Sequence, residues 1–306
     1  MLRTKPVKYL YLGLLIISII GIVIGSFYDY EISSVVYKKD ANFSLFVASF
    51  HIMFDCAFYN VFFGALIGYG VKKIDKKQGL NVLWIVLGTI GIIVFSYMSG
   101  TSIFSSNGIF KYYNPELHIN LIVEILIGFV SIIGYGLIGF FFVTKYLNRK
   151  NILLFLLLLG SFMLAYFAVT ITKEFFVRPR YRIIIKYEDS YNNLFHNWFE
   201  PFKDFDYFKN LGVNKENFRS FPSGHTVTSS FMCLQMVYLP KLIDKVKTSQ
   251  VVLFLFGFIS LFVLIFTRIN CGAHFLSDCS FAVAIGVIVT YICDFIFYKK
   301  IDSISE

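Results

Sequence analysis

Charge is scarce in this sequence. Only 15% of its 306 residues are charged, too little polar surface to cover a soluble domain of this length. An ordinary water-soluble protein is thereby excluded. Cysteine is also sparse. Cys56, Cys233, Cys271, Cys279 and Cys293 show no CxxC spacing, which argues against a zinc or dithiol motif. Cys271 and Cys279 flank His274 and leave a disulfide there possible; the others lie in apolar runs and are expected to pack. Six prolines and two tryptophans, beside abundant Phe, Ile, Tyr and Lys, point to a low-GC bacterial source. Internal repeats and low-complexity linkers are absent, so a single domain is expected. The first apolar stretch follows Arg3, Lys5 and Lys8 as a secretory signal would. It runs to Ser26-Phe27-Tyr28 without a small-x-small cleavage site, so it reads as a retained helix.

What is abundant is hydrophobicity, at 57%. Apolar runs long enough to cross a hydrocarbon core recur throughout, at roughly 9–28, 44–70, 82–99, 119–145, 151–172, 224–240, 250–267 and 275–298. The run at 224–240 is short and begins polar. The expected fold class is all-α, a polytopic membrane helical bundle of about eight transmembrane helices. The net charge of +9 does not indicate a nucleic-acid partner, because the cations fall between apolar runs and form no single basic patch.

The loops alternate in charge. One set carries Arg3, Lys5 and Lys8; Lys72, Lys73, Lys76 and Lys77; Lys145, Arg149 and Lys150; Lys241, Lys245 and Lys247; and Lys299 and Lys300, with few acids beyond Asp75 and Asp244. Short basic loops stay cytoplasmic. Both termini are then cytoplasmic, and Lys173–His225 and Arg268–Asp278 fall together on the extracytoplasmic side of a cell membrane. The other loop set holds Asp29, Glu31, Asp40 and Glu116. It also holds a long segment, about 174–222, dense in rings such as Trp198, Phe202, Phe208 and Phe218. Rings among charges suit either a headgroup-level cap or an ordinary packed loop. Residues 29–43 are a candidate for a smaller interfacial helix.

Three clusters carry chemistry. Pro222-Ser223-Gly224-His225 stands where a loop meets an apolar run. Free N–H groups at a helix start favour an anion, glycine admits it closely, Ser223 adds a hydroxyl, and His225 can protonate a leaving oxygen. A Ser-capped helix with a bystander histidine fits the same four residues. His274 and Asp278 are spaced i, i+4 and would share a helix face. A carboxylate on one ring nitrogen leaves the other as a nucleophile, and Arg268 can grip phosphate oxygens bidentately. A packing histidine, or a zinc site made by two histidines and an aspartate, are the rivals; the surrounding cations disfavour the metal. Lys173 and Arg180, seven apart, would share a helix face and aim two cations at one phosphate, although Pro179 interrupts the helix.

The order Lys173-x6-Arg180, Pro222–His225, Arg268-x5-His274-x3-Asp278 resembles the type-2 phosphatidic acid phosphatase (lipid phosphate phosphatase) superfamily. The motif-bearing core spans about 151–298. The resemblance implies that His274 attacks phosphorus to form a phosphohistidine, His225 protonates the leaving group and Asp278 orients His274. Lys173, Arg180, Ser223, Gly224 and Arg268 would hold the phosphate, with no metal and no cofactor. It implies a membrane lipid substrate, such as phosphatidic acid, phosphatidylglycerol phosphate or undecaprenyl diphosphate. Members usually carry about six spanning helices, so two extra ones precede the core, within 82–145. Two departures stand out: Arg180 is followed by Tyr181 where the family has proline, which makes Arg178 an alternative ligand, and Thr267 replaces a serine. A lipid phosphotransferase or a headgroup-binding transporter would use the same residues. His51, Asp55 and Glu124, inside apolar runs, are expected to make structural hydrogen bonds, with a polar substrate path as the rival.

Overall fold

The computed structural model describes residues 5–72, 78–103, 120–146, 149–191, 193–200, 202–243 and 246–302. Arg3, Lys73, Asp75, Lys76, Lys77, Glu116, Asp244 and Lys245 lie outside the described residues, as do the side chains of His51, Asp55, Cys56 and Cys233. The chain is an all-α polytopic bundle. Its helices are α1 (Lys5–Val36), α2 (Asn42–Val71), α3 (Gln78–Ile103), α4 (Leu121–Phe141), α5 (Arg149–Phe175), α6 (Tyr181–Tyr187), α7 (Phe205–Asn210), α8 (Gly224–Gln235), α9 (Leu239–Leu242), α10 (Gln250–Asn270) and α11 (Leu276–Asp302). Among the described residues, five helical segments are long and apolar enough to cross a membrane: Lys5–Val36, Gln78–Phe95, Leu154–Phe175, Gln250–Asn270 and Leu276–Cys293. The runs expected at 44–70 and 119–145 correspond to α2 and α4. The run expected at 224–240 is broken: α8 has only 12 residues and passes through a 3-10 turn, Met236–Tyr238, before α9.

Two groups of helices make the bundle. α3 and α4 pack chiefly on α2 and on each other, while α1, α5, α8, α10 and α11 interlock. Among the described residues, α3 and α4 lie in the region 82–145 where the sequence count expected two extra spans. The α2–α4 contact is close because neither backbone carries a side chain at the crossing: a Cβ on Gly64 would lie 2.0 Å from the Gly136 carbonyl. The interlocked group shares one apolar core, with Tyr11 and Leu14 of α1, Leu154 and Leu158 of α5, Leu234 of α8, Phe254 and Leu261 of α10 and Val283 and Val287 of α11. The Tyr11 hydroxyl donates to the Leu234 carbonyl, which satisfies a polar atom buried in that core.

Within the expected 29–43, residues 29–36 form a short helix set off by a break in the helical backbone, and 37–41 are not helical. The break is a kink of α1 at Tyr28, whose backbone (φ −130, ψ 15) leaves the helical range. Between α5 and α8 the chain builds a cap. Its rings mostly bury one another: Phe202, Phe208 and Phe218 pack with Tyr181, Leu194 and Phe275, whereas Phe199 and Tyr207 are exposed. Phe275 follows His274 directly, so the cap rests on the segment that carries the candidate nucleophile. Cys271 and Cys279 are buried thiols with no disulfide between them.

Candidate active site

The candidate residues gather at one end of the interlocked group, at the C-terminal ends of α5 and α10 and the N-terminal ends of α8 and α11. Helix endings explain the convergence. α10 stops at Asn270, and Gly272 takes the left-handed conformation (φ 62) that a helix terminus with a sharp exit requires. Arg268's carbonyl then accepts from the N–H groups of Ala273 (3.1 Å) and His274 (3.2 Å). The chain has folded back, so Arg268 and His274 are neighbours despite the six-residue separation.

His274 is not on the helix with Asp278. α11 begins at Leu276, and Asp278 sits in its first turn, where its Oδ2 accepts from the Phe275 N–H at 2.8 Å as an N-terminal cap. The two side chains therefore do not meet by sharing a helix face. His274 Nδ1 lies 2.6 Å from the Ser220 carbonyl and 3.8 Å from Asp278 Oδ2. A carbonyl only accepts, so Nδ1 carries the proton and Nε2 holds the lone pair. Ser220 also donates its hydroxyl to Asp278 Oδ2 at 2.5 Å. It thus links the histidine and the carboxylate, a role the sequence motifs did not reveal. The one signal in the sequence was a hydroxyl residue two positions before Pro222.

Ser223 and Gly224 open α8. Ser223 N–H donates to the Asp278 carbonyl (3.1 Å), while its Oγ accepts from the Thr226 hydroxyl (2.8 Å) and N–H (3.4 Å). The serine does cap its helix, as the simpler interpretation of the motif held, and it ties α8 to α11 as well. A Cβ on Gly224 would meet only Lys173, with Nζ at 3.7 Å, so this glycine keeps the space before the lysine open. Lys173 Nζ donates to the Arg219 carbonyl at 3.3 Å. His225, half-buried, is the second residue of α8.

Lys173 and Arg180 do not share a helix, because α5 ends at Phe175. Residues 178–180 instead run extended beside 217–220: Arg178 N–H donates to the Phe218 carbonyl (2.8 Å), Arg180 N–H to that of Asn217 (2.9 Å), and Ser220 N–H to that of Arg178 (3.1 Å). An ideal strand would turn residues two apart to the same face; here the two guanidiniums nonetheless reach different partners. Arg178 is not a candidate phosphate ligand. Four of its five N–H donors go to the His196 carbonyl (3.0 Å), Ser277 Oγ (3.0 Å), Asp278 Oδ1 (2.5 Å) and Asp29 Oδ2 (2.9 Å). Arg180 lies 3.8 Å from the half-exposed Glu216. Burial and the adjacent cations Arg182 and Arg268 pull it down to about 9, so it stays charged at neutral pH and favours an incoming anion.

Arg268 is 1% exposed, and among the described residues its Nε has no hydrogen-bond partner. A buried cation without a counter-ion is costly unless an anion joins it. Burial first, then the charges of Arg268, Lys173 and Arg180, hold His274 well below 6.5 against the opposing pull of Asp278. The site thus combines a neutral imidazole, its lone pair on Nε2, with a set of cations. Such a set can take an anion and present a nucleophile to it.

The sequence model of the PAP2 superfamily matches residues 154–302, which include every one of these groups except Asp29. No curated protein and no solved structure matches the chain.

Proposed function

Because residues 154–302 belong to the PAP2 superfamily, whose activity is of the phosphatase type on phosphate esters, we propose that this protein removes a phosphate monoester or terminal diphosphate from a membrane lipid. One observation carries the reading: the Nδ1 proton of His274 is committed to the Ser220 carbonyl at 2.6 Å, which leaves Nε2 as a nucleophile among Lys173, Arg180 and Arg268. Nε2 attacks phosphorus as the bond from phosphorus to the lipid oxygen breaks. His225 delivers a proton to that oxygen. Lys173, Arg180, Arg268 and the α8 N-terminus at Ser223 and Gly224 stabilise charge on the equatorial oxygens. Asp278, behind His274, stabilises the ring as it becomes cationic. Water then attacks the phosphohistidine and gives a proton to His225; the P–N bond breaks, phosphate leaves, and both histidines return to their starting states.

The lipid substrate class is supported by position. The site lies at one end of α1, α5, α10 and α11, and the described basic residues Lys8, Lys72 and Lys247 lie toward the other end of the bundle. By the positive-inside rule that other end and both termini are cytoplasmic and the site is extracytoplasmic. The test is phosphate release by the purified protein from phosphatidic acid, phosphatidylglycerol phosphate and undecaprenyl diphosphate, with and without chelator. Wild type is expected to release phosphate in either condition, and His274→Ala to release none while eluting and melting like wild type. Full activity in His274→Ala would remove the nucleophile from the scheme.

A further inference from the structure

We propose that Asp29, on a helix outside the matched segment, is a positioning residue for this reaction: through Arg178 it fixes the place and the charge of Asp278 behind His274. The inference rests on the phosphatase reading. Arg178 sits between two carboxylates, 2.9 Å from Asp29 and 2.5 Å from Asp278, with its guanidinium 4.1 Å from the centre of the Phe275 ring. Both carboxylates are fully buried. Asp29 also seizes the start of α11: Oδ1 accepts from the Ser277 N–H at 3.0 Å, and Oδ2 accepts from the Ser277 hydroxyl. An anion at a helix N-terminus is favoured, and here it anchors the turn that contains Asp278.

Other features of α1 serve the same contact. Gly21, Gly25 and Asp29 recur at four-residue intervals and lie along one face. A Cβ on Gly25 would stand 2.6 Å from Ser277 N and 2.7 Å from Asp29 Oδ1, and one on Gly21 would stand 2.3 Å from Ser280 Oγ. The helix can therefore lie directly on the α11 N-terminus. The kink at Tyr28 comes one residue before the carboxylate and re-aims the chain there.

Charge balance gives Asp29 its effect. Shared between two carboxylates, Arg178 neutralises only part of each. Asp278 keeps enough negative charge to support an imidazole that turns cationic when it bonds to phosphorus. With Asp29 neutral, Arg178 would act on Asp278 alone, and that support would weaken. The same change would make the phosphate-binding region more positive, so ground-state anion binding would hold or tighten. A loss in kcat without a rise in KM is therefore the signature, and a purely structural role would not produce it.

The test compares steady-state kinetics of wild type, Asp29→Asn and Ser277→Ala on the best lipid phosphate. Asp29→Asn keeps the shape and an acceptor for Ser277 while removing the charge. It is expected to lower kcat about ten- to a hundredfold, the range for groups that orient a reacting residue, with KM unchanged or reduced. Ser277→Ala leaves every charge in place but loosens both Asp29 and Arg178, and should lower kcat severalfold at unchanged KM. Wild-type kcat in Asp29→Asn, or a loss expressed as a raised KM, overturns the proposal while the phosphatase reading stands. If Asp29→Asn does not fold, Ser277→Ala decides: a wild-type kcat overturns it. A wild type that releases no phosphate from any lipid overturns both readings.

Discussion

Arg178 and Arg180 are two residues apart and both are almost fully buried, yet their removal should have opposite consequences. Arg178→Met leaves Asp29 and Asp278 facing each other in the interior with no cation between them. Removing one partner of a buried ion pair typically costs about 3–5 kcal/mol. Here two carboxylates lose the same partner, so the upper part of that range is expected. Against a total stability of roughly 5–15 kcal/mol, that loss is large enough to read directly. Arg180→Met removes a cation crowded by Arg182 and Arg268, with the half-exposed Glu216 at 3.8 Å. Its loss relieves repulsion, so stability should hold or rise. Its cost should fall on the reaction, about 10²–10³-fold in kcat/KM, as for one lost donor to developing transition-state charge. Thermal unfolding in detergent, read beside phosphate release, separates the two. Adding Asp29→Asn to Arg178→Met should recover part of the lost stability by removing one stranded charge. An Arg178→Met protein that melts like wild type, or an Arg180→Met protein that melts well below it, would refute the assignment of one arginine to the framework and the other to the anion.

Two more outcomes follow from the site. Gly224→Ala places a methyl 3.7 Å from Lys173 Nζ and against nothing else, so KM should rise about tenfold or more for phosphate substrates while the melting temperature stays within about 2 °C, since no backbone must move. pH gives a further check. His274 in the fold is held well below the 6.5 of an unstructured histidine by burial and neighbouring cations. Between the folded and unfolded values the unfolded chain binds the extra proton, so this contribution to stability is whole above about 6.5 and declines as pH falls below it, by up to about 1.4 kcal/mol per pH unit. Melting curves of wild type and His274→Gln from pH 7.5 to 5.5 should diverge below 6.5, wild type losing stability faster; parallel curves would contradict a neutral buried His274.

Much of the architecture was legible because it follows from composition and chain order. Hydropathy runs set α1, α3, α5, α10 and α11, and loop charge separated the two ends of the bundle. The candidate residues were legible as types too: Lys173, Arg180, Pro222–His225, Arg268 and His274 offer the cations, imidazoles and helix start that a phosphate site would need, and the fold gathers them at one end of the bundle. Spacing was a poorer guide. The i, i+4 interval of His274 and Asp278 and the seven-residue interval of Lys173 and Arg180 suggested shared helix faces. In both pairs a helix end intervenes: Ser220 links His274 to Asp278, and an extended pairing of 178–180 with 217–220 places Arg180.

Residue identities and the apolar runs determined that this chain is a membrane-spanning helical bundle with a phosphate-handling set of side chains, because hydrophobicity and reactivity belong to the residues themselves. Tertiary structure alone decided which arginine the buried carboxylates take up, that the Ser220 carbonyl rather than Asp278 accepts from His274 Nδ1, and that Asp29 reaches Arg178 across 149 positions of sequence. Those outcomes depend on where buried charges find counter-charges, and a low-dielectric interior settles that by distance in space, which chain order does not encode.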